Sequence, residues 1–257
     1  MQHVTLAFDG PTARITINRP EKRNAIALAT VEDLQVAVAE ANANTQIRVI
    51  VLTGAGDRAF ASGADLDELG ALSTPHQALT YDAMVSQLYD AFERSRKPII
   101  ARIQAHAIGG GCLLALACDV RVASDNATFG VPAARIGLML SAPEHALLVN
   151  HIGASRAKLL LASGRRLSAK EAESWRLVDI VAAPSGLDAA VDTLANDIAA
   201  NAPLAVAAAK RLVQAVGRNA ALAEAAATSY AEIYGSADLR EGLAAVKAKR
   251  KPSFAGR

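Results

Sequence analysis

Two glycine-rich runs carry most of the chemistry that can be read from this sequence: Ala61-Ser62-Gly63-Ala64-Asp65 and Ala107-Ile108-Gly109-Gly110-Gly111-Cys112. Glycine lets the backbone turn sharply and lets a ligand approach with no Cβ in the way. A helix beginning near Gly110 has first-turn amides with no intrahelical acceptor, at the positive end of its dipole. Two N–H groups converging from separate turns, around Gly63-Ala64 and Gly109-Gly110, would hold a carbonyl oxygen as it becomes an enolate or a tetrahedral oxyanion. Losing one such donor typically costs about 3 kcal/mol of transition-state stabilisation. Either run alone also fits a tight strand-to-helix turn that holds no ligand. Neither is a nucleotide fingerprint: Gly109-Gly110-Gly111 lacks the G-x-G-x-x-G spacing, and no glycine-rich run ends in Lys-Ser or Lys-Thr.

Side chains able to move a proton near these runs are few. Glu144 is the nearest acid downstream, and Ser141-Ala142-Pro143-Glu144 also reads as a capping box closed by that glutamate. His145 follows it and turns about 100 degrees away on a helix, so at most one of the two faces a pocket directly. His106 lies four residues before Gly110, at a strand end, where an imidazole can titrate near neutral pH or serve as a hydrogen-bonded structural residue. Asp65 fits a cap for the next short helix or a local pair, since a carboxylate beside an enolate would oppose its stabilisation. Asp67 and Glu68 follow it and could approach the same pocket. Glu232 and Glu241 lie in the C-terminal helices, and sequence alone does not bring them to a site. No His, Cys and carboxylate cluster has metal-ligand spacing, so no metal is expected.

The elements that must position these residues follow from periodicity. Val4–Asp9 and Ala13–Asn18 read as a hairpin around Gly10-Pro11, and Leu28–Ala43 as a helix. Arg48–Thr53 contains the run Val49-Ile50-Val51-Leu52, the pattern of a strand covered on both faces. Thr74-Pro75 supplies an N-cap and first-turn proline for a helix reaching about Arg96, and Lys97-Pro98 ends it. Ile99–Ile103 and Asp119–Ala123 read as strands either side of a helix from about Gly110 to Cys118. Repeated strand–helix units imply parallel crossovers in a sheet that the opening hairpin makes mixed. From Leu187 to Lys249 the chain reads as alanine-rich helix, with breaks expected at Asn201-Ala202-Pro203, at Gly217 and near Gly235. The expected division is a mixed α/β core over residues 1–185 and a helical lobe over 186–257.

Bulk composition excludes several classes. With 257 residues and 52% hydrophobic side chains the chain can bury a sizeable core. Its 27 basic and 25 acidic residues leave a formal charge of +2, without the basic excess of a nucleic-acid binder. Arg102, Gln104, His106 and three glycines interrupt the apolar stretch from Ile99 to Val122, which reads as strand plus buried helix, not a membrane span. Met1–Asp9 shows no secretory pattern. The two cysteines, Cys112 and Cys118, fall on different faces of one helix and read as small buried hydrophobes. A cytoplasmic protein is expected.

In order and spacing, several segments together resemble the crotonase superfamily, the enoyl-CoA hydratase/isomerase group, over nearly the whole chain. They are Asn18-Arg19-Pro20-Glu21-Lys22-Arg23-Asn24-Ala25, Val51–Gly56, Ala59–Leu66, Lys97–Ala101, Ile108–Cys112, Ala117-Cys118-Asp119 and Phe129-Gly130. The resemblance implies a ββα spiral core with a C-terminal helical lobe, and an oxyanion hole from the Ala64 and Gly110 N–H groups gripping a coenzyme A thioester. It implies no permanently bound cofactor, with coenzyme A arriving as part of the substrate, and a homotrimer or dimer of trimers. Coenzyme A contacts are implied at Lys22, Arg23, Ala61, Ser62, Ala64, Asp65 and Leu66. Lys22 and Arg23 would border the nucleotide end, where Arg58, Lys247, Lys249, Arg250 and Lys251 could also meet phosphate. Exposed cations of this kind equally serve only to solvate a surface.

The departures matter as much. Family hydratases carry one glutamate just after Gly-Gly-Gly-Cys and another in the Phe-Gly-x-Pro-Glu bend. The matching positions here hold Leu113 and Ala133, which can neither exchange a proton nor orient water. A third family position, an aspartate in some members, matches Ser141. The expectation is therefore an enzyme acting on a CoA thioester by isomerisation, decarboxylation or hydrolysis, not by the two-glutamate hydration route. The alternative is a non-catalytic acyl-CoA-binding protein.

Overall fold

The computed structural model describes residues 1–218, 228–229 and 232–257, the side chains of 217 and 218 aside. Strands β1 (Val4–Asp9) and β2 (Thr12–Ile17) form the expected antiparallel hairpin. β2 then pairs in parallel with β3 (Val49–Gly54), which continues through β5 (Ile99–Ile103), β7 (Val120–Ser124) and β10 (Ile180–Ala182) in a six-stranded sheet of order β1-β2-β3-β5-β7-β10. A second sheet has order β4-β6-β8-β9, from Ala59–Ala61, His106–Ile108, Thr128–Gly130 and Leu167–Ser168.

The pairs β3/β4, β5/β6 and β7/β8 each give one strand to the large sheet and the next to the small one before the chain passes into helix. This is a ββα repeat wound as a spiral. The helices that follow these pairs are α2 (Leu66–Ala71) with α3 (Pro75–Arg94), α4 (Gly110–Ala117) and α5 (Ala142–Ser163); α1 (Leu28–Ala43) lies between β2 and β3, and α6 (Ala169–Ser174) follows β9. The architecture matches the spiral implied by the sequence resemblance.

Side-chain alternation explains why the central strands read as unbroken apolar runs. Ile50, Leu52, Ile99, Ala101 and Ile103 point into the main core with α1, α3 and α4. Their neighbours Val49, Val51, Ile100 and Val122 point to the other face. There Leu187, Val191 and Ala195 of α7 (Leu187–Ala199) cover them. So α7, which the sequence reading puts in the helical lobe, seals the second face of the sheet.

Helix α8 (Pro203–Arg218) begins at the expected proline break but runs through Gly217, correcting the break expected there. One glycine costs about 1 kcal/mol in a helix, which the rest of a sixteen-residue element can offset. The alanine-rich residues 219–227 lie outside the described residues. The last described helix is Ala237–Lys247. Cys112 and Cys118 are both buried and free, and burial pushes the Cys112 thiol up to about 12.

Candidate active site

A web of local bonds fixes the first glycine run. Asn24, fully buried, donates from its side chain to the carbonyls of Ala55 and Ala59 at 3.0 and 2.8 Å and accepts from the Arg19 amide at 3.1 Å. This anchors the loop that carries Ile26. Ile26 then forms a parallel bridge with Ala64: its amide donates to the Gly63 carbonyl at 2.8 Å, and its carbonyl accepts from Asp65 N–H at 2.9 Å. In such a bridge the groups flanking Ala64 are bonded toward Ile26, and the Ala64 N–H points to the opposite side. Arg19 adds an ion pair to Asp65 at 2.9 Å, both side chains nearly buried. That pair, with a bond from Asp67 N–H, holds the Asp65 carboxyl below its usual range. Asp65 therefore caps α2 and pairs locally.

The second run meets the first at van der Waals distance. The Gly109 amide donates to the Gly130 carbonyl at 2.8 Å, which orients the turn. Gly110 is the first residue of α4, so its own N–H has no acceptor within the helix. Gly63 adopts φ +107°, and its missing Cβ would lie 3.6 Å from the Gly110 nitrogen; the missing Cβ of Gly110 would lie 3.5 Å from the Ala64 nitrogen. A Cβ on Gly111 would overlap the Ala61 carbonyl, so the helix start can approach β4 only as glycine. Among the described residues, neither the Ala64 nor the Gly110 amide donates to a protein acceptor.

Ala64 and Gly110 both line a cavity of about 660 Å³. One wall comes from α3, whose residues Tyr81, Val85, Leu88 and Tyr89 recur at helical spacing and face inward, with Asp82 beside them. Ala133, Leu138, Met139 and Glu144 also line the cavity. The carboxylate of Glu144 is held at three points: Oε2 accepts from the Ser141 N–H at 2.9 Å and from the Ser141 hydroxyl at 3.1 Å, and Oε1 accepts from the Tyr89 hydroxyl at 3.2 Å. Burial, then the nearby Glu144 charge, pushes the Tyr89 phenol well above its ordinary value and keeps it a neutral donor. Burial also raises the Asp82 carboxyl.

The sequence candidates separate cleanly here. Ala64, Gly110, Glu144, Lys22, Arg23, Ser62, Asp65 and Leu66 all line the cavity. Ala61 is fully buried behind it in β4. His145 is exposed, with Nδ1 2.9 Å from the Ser141 carbonyl, and is not among the lining residues. Its place on the helix turns it away from the pocket that Glu144 faces, as the rotation between adjacent residues requires. His106 also lies off the cavity: Nδ1 sits 2.7 Å from the Thr128 hydroxyl, and burial followed by Arg166 and Arg23 lowers its affinity for a proton.

Asp67 reaches the cavity mouth in an exposed pair with Lys22 at 3.0 Å, whereas Glu68 accepts from Leu28 N–H. Glu232 pairs with Arg211 and Glu241 with Arg250, away from the cavity. Arg58 and the basic tail contribute nothing to the cavity wall among the described residues. Leu113 is fully buried in the core, while its neighbour Leu114 reaches the cavity. Sequence reading missed Tyr81, Asp82 and Tyr89; the recurrence of apolar and aromatic residues after Thr74-Pro75 was their available signal.

The family model for enoyl-CoA hydratase/isomerase matches residues 8–257. The chain belongs to the enoyl-CoA hydratase/isomerase family. It is 36% identical over 246 residues to the 2,3-dehydroadipyl-CoA hydratase of Escherichia coli, covering 95% of this chain and 94% of that one. It is 31% identical over 253 residues to the short-chain-enoyl-CoA hydratase of Clostridium acetobutylicum, covering 98% and 97%. The crystal structure of an enoyl-CoA hydratase/carnithine racemase from Magnetospirillum magneticum superposes with a TM-score of 0.95 at 35% identity, covering 100% of this chain and 97% of that one. Among the described residues of this hydratase/isomerase-family chain, no His, Cys and carboxylate group could hold a metal, and no helix is long and apolar enough to cross a membrane.

Proposed function

We propose that this chain binds an acyl-CoA and activates its thioester by holding the carbonyl oxygen between the N–H groups of Ala64 and Gly110, and that it works without the two-glutamate hydration route. One observation carries this reading. Two amides from separate turns, each beside backbone groups bonded in the other direction, meet at one cavity with no protein acceptor among the described residues. Such donors stabilise the negative charge that forms on a thioester oxygen during enolisation, and they need not reorganise to do so. Lys22, Arg23, Ser62, Asp65 and Leu66 border the cavity on the side proposed for coenzyme A. The proposed assembly is a homotrimer or dimer of trimers, in which the helices beyond residue 185 form a lobe and make subunit contacts, in a cytoplasmic setting.

Among the reactions left open, relocation of a proton on the acyl chain fits best. Asp82 and Glu144 would repel the free carboxylate of a malonyl-type substrate, which weakens the case for decarboxylation. A non-catalytic acyl-CoA binder is the second reading, favoured by Leu113 in the core and Ala133 on the cavity wall. A panel of saturated, 2-enoyl, 3-enoyl and malonyl-type CoA esters, assayed for binding by calorimetry, for product mass and for the ultraviolet absorbance of a conjugated 2-enoyl thioester, separates these readings. The expected result is binding of the esters, a mass-neutral conversion of the 3-enoyl ester and no rapid hydration of crotonyl-CoA. Rapid hydration, or failure to bind any ester, would defeat the reading.

A further inference from the structure

Two carboxylates of the cavity are held from two places each, Asp65 by Arg19 and the Asp67 N–H and Glu144 by Ser141 and Tyr89, and of the two only Glu144 has no cationic partner among the described residues. Glu144 projects from the first turn of α5, and its two oxygens receive the Ser141 amide and hydroxyl on one side and the Tyr89 hydroxyl on the other. An N-cap interaction needs only the first of these contacts. Tyr89 comes from α3, is 6% exposed, and fixes the carboxylate against that helix. The remaining acids of the cavity are otherwise engaged or unheld. Asp65 is tied to Arg19 and Asp67 pairs with Lys22 at the exposed mouth. Asp82 has no hydrogen-bond donor on its carboxylate among the described residues.

We propose that Glu144 is the group that removes a proton from the acyl chain and returns it, with Tyr89 as the residue that positions its carboxylate. The proposal rests on the thioester reading above. A Glu144 oxygen takes a proton from C2 of the acyl chain; the C–H electron pair becomes the C1–C2 double bond, and the carbonyl pair moves onto the oxygen between the Ala64 and Gly110 amides. The products of this step are an enolate and a neutral carboxylic acid. Returning the proton to C2 restores the substrate. Returning it to C4 of a 3-enoyl chain converts it to the 2-enoyl thioester and restores the carboxylate. Neither outcome consumes water or needs a co-reactant.

The test is exchange of C2 protons of a saturated acyl-CoA in deuterated water, followed by mass, beside the binding of an unreactive acyl-CoA thioether. The wild-type protein is expected to bind and exchange. Glu144→Gln keeps an oxygen able to cap Ser141, so it is expected to bind the thioether normally and to exchange at least about 100-fold more slowly. Asp82→Asn should lose less than tenfold. Tyr89→Phe should lower kcat about tenfold with little change in KM. Exchange by E144Q at the wild-type rate, or a rise in KM alone, would overturn the assignment while the thioester reading stands. Wild-type binding with no exchange would overturn it in favour of the binder. No binding at all would remove the thioester reading itself.

Discussion

The helix that starts at Gly110 and the helix that starts at Ala142 both bring their first residues to one cavity, the first with bare backbone and the second with a carboxylate. At α4 the leading residues are glycines, the N-terminal amide is unpaired, and every side chain from Cys112 to Ala117 is buried and non-ionic apart from a high-pKa thiol. At α5 the N-cap amide is covered by Glu144, and that carboxylate reaches across to Tyr89. In the mechanism we propose, the contrast divides the labour: a backbone donor pair cannot change its protonation state, so it serves the oxygen, and a carboxylate can, so it serves the carbon.

The largest expected effect on this comparison comes from the carboxylate side, the loss of 100-fold or more in proton exchange already assigned to E144Q. On the backbone side, replacing the Ala64 amide with an ester removes its N–H while leaving the side chain intact. It should lower turnover by about 100- to 1,000-fold, measured as kcat on whichever CoA ester is turned over. An unchanged kcat would take Ala64 out of the donor pair.

Leu113 and Ala133, the positions that the sequence resemblance matches to the two hydratase glutamates, should differ in tolerance. Leu113→Glu places an unpaired carboxylate in the core and should destabilise the fold by about 3 kcal/mol or more in urea unfolding. Ala133→Glu, at the partly exposed cavity wall, should cost less than about 1 kcal/mol. Equal penalties would mean that Leu113 is not confined to the core as found.

A smaller effect tests the frame around Ala64. The Asp65 carboxyl is depressed in the folded protein by Arg19. Its stabilising contribution is therefore complete above the unfolded value near 3.8 and is lost as pH falls through the lower folded value. Unfolding titrations from pH 6 down to pH 2 should show this acid-side loss, and Asp65→Asn should flatten it. A profile identical in the variant would detach the Arg19–Asp65 pair from the stability of the turn.

The fold was largely legible because its signals are local. Val49–Leu52 announced a strand buried on both faces, Thr74-Pro75 opened α3 and Leu28–Ala43 formed the expected helix. The two glycine turns were legible too, since Gly63 follows a strand and Gly109–Gly111 fall between a strand and a helix start. What could not be read was which residues meet across the cavity. Glu144 was visible as a cap, but its second partner, Tyr89, lies fifty-five positions earlier on another helix. Likewise the position of Leu113 behind Leu114 depends on how α4 rotates against the core, a tertiary property with no local marker. His106 and His145 had the right chemistry and proximity in sequence, but their side chains leave the cavity.

The central claim, that two backbone amides grip a thioester oxygen, is tested most directly by the infrared stretch of an acyl-CoA labelled with carbon-13 at the thioester carbonyl. Bound to the protein, that band should move to lower frequency than in water, and the Ala64 ester variant should reverse part of the shift. A bound carbonyl band at its aqueous frequency, or a shift untouched by the ester variant, would contradict the account.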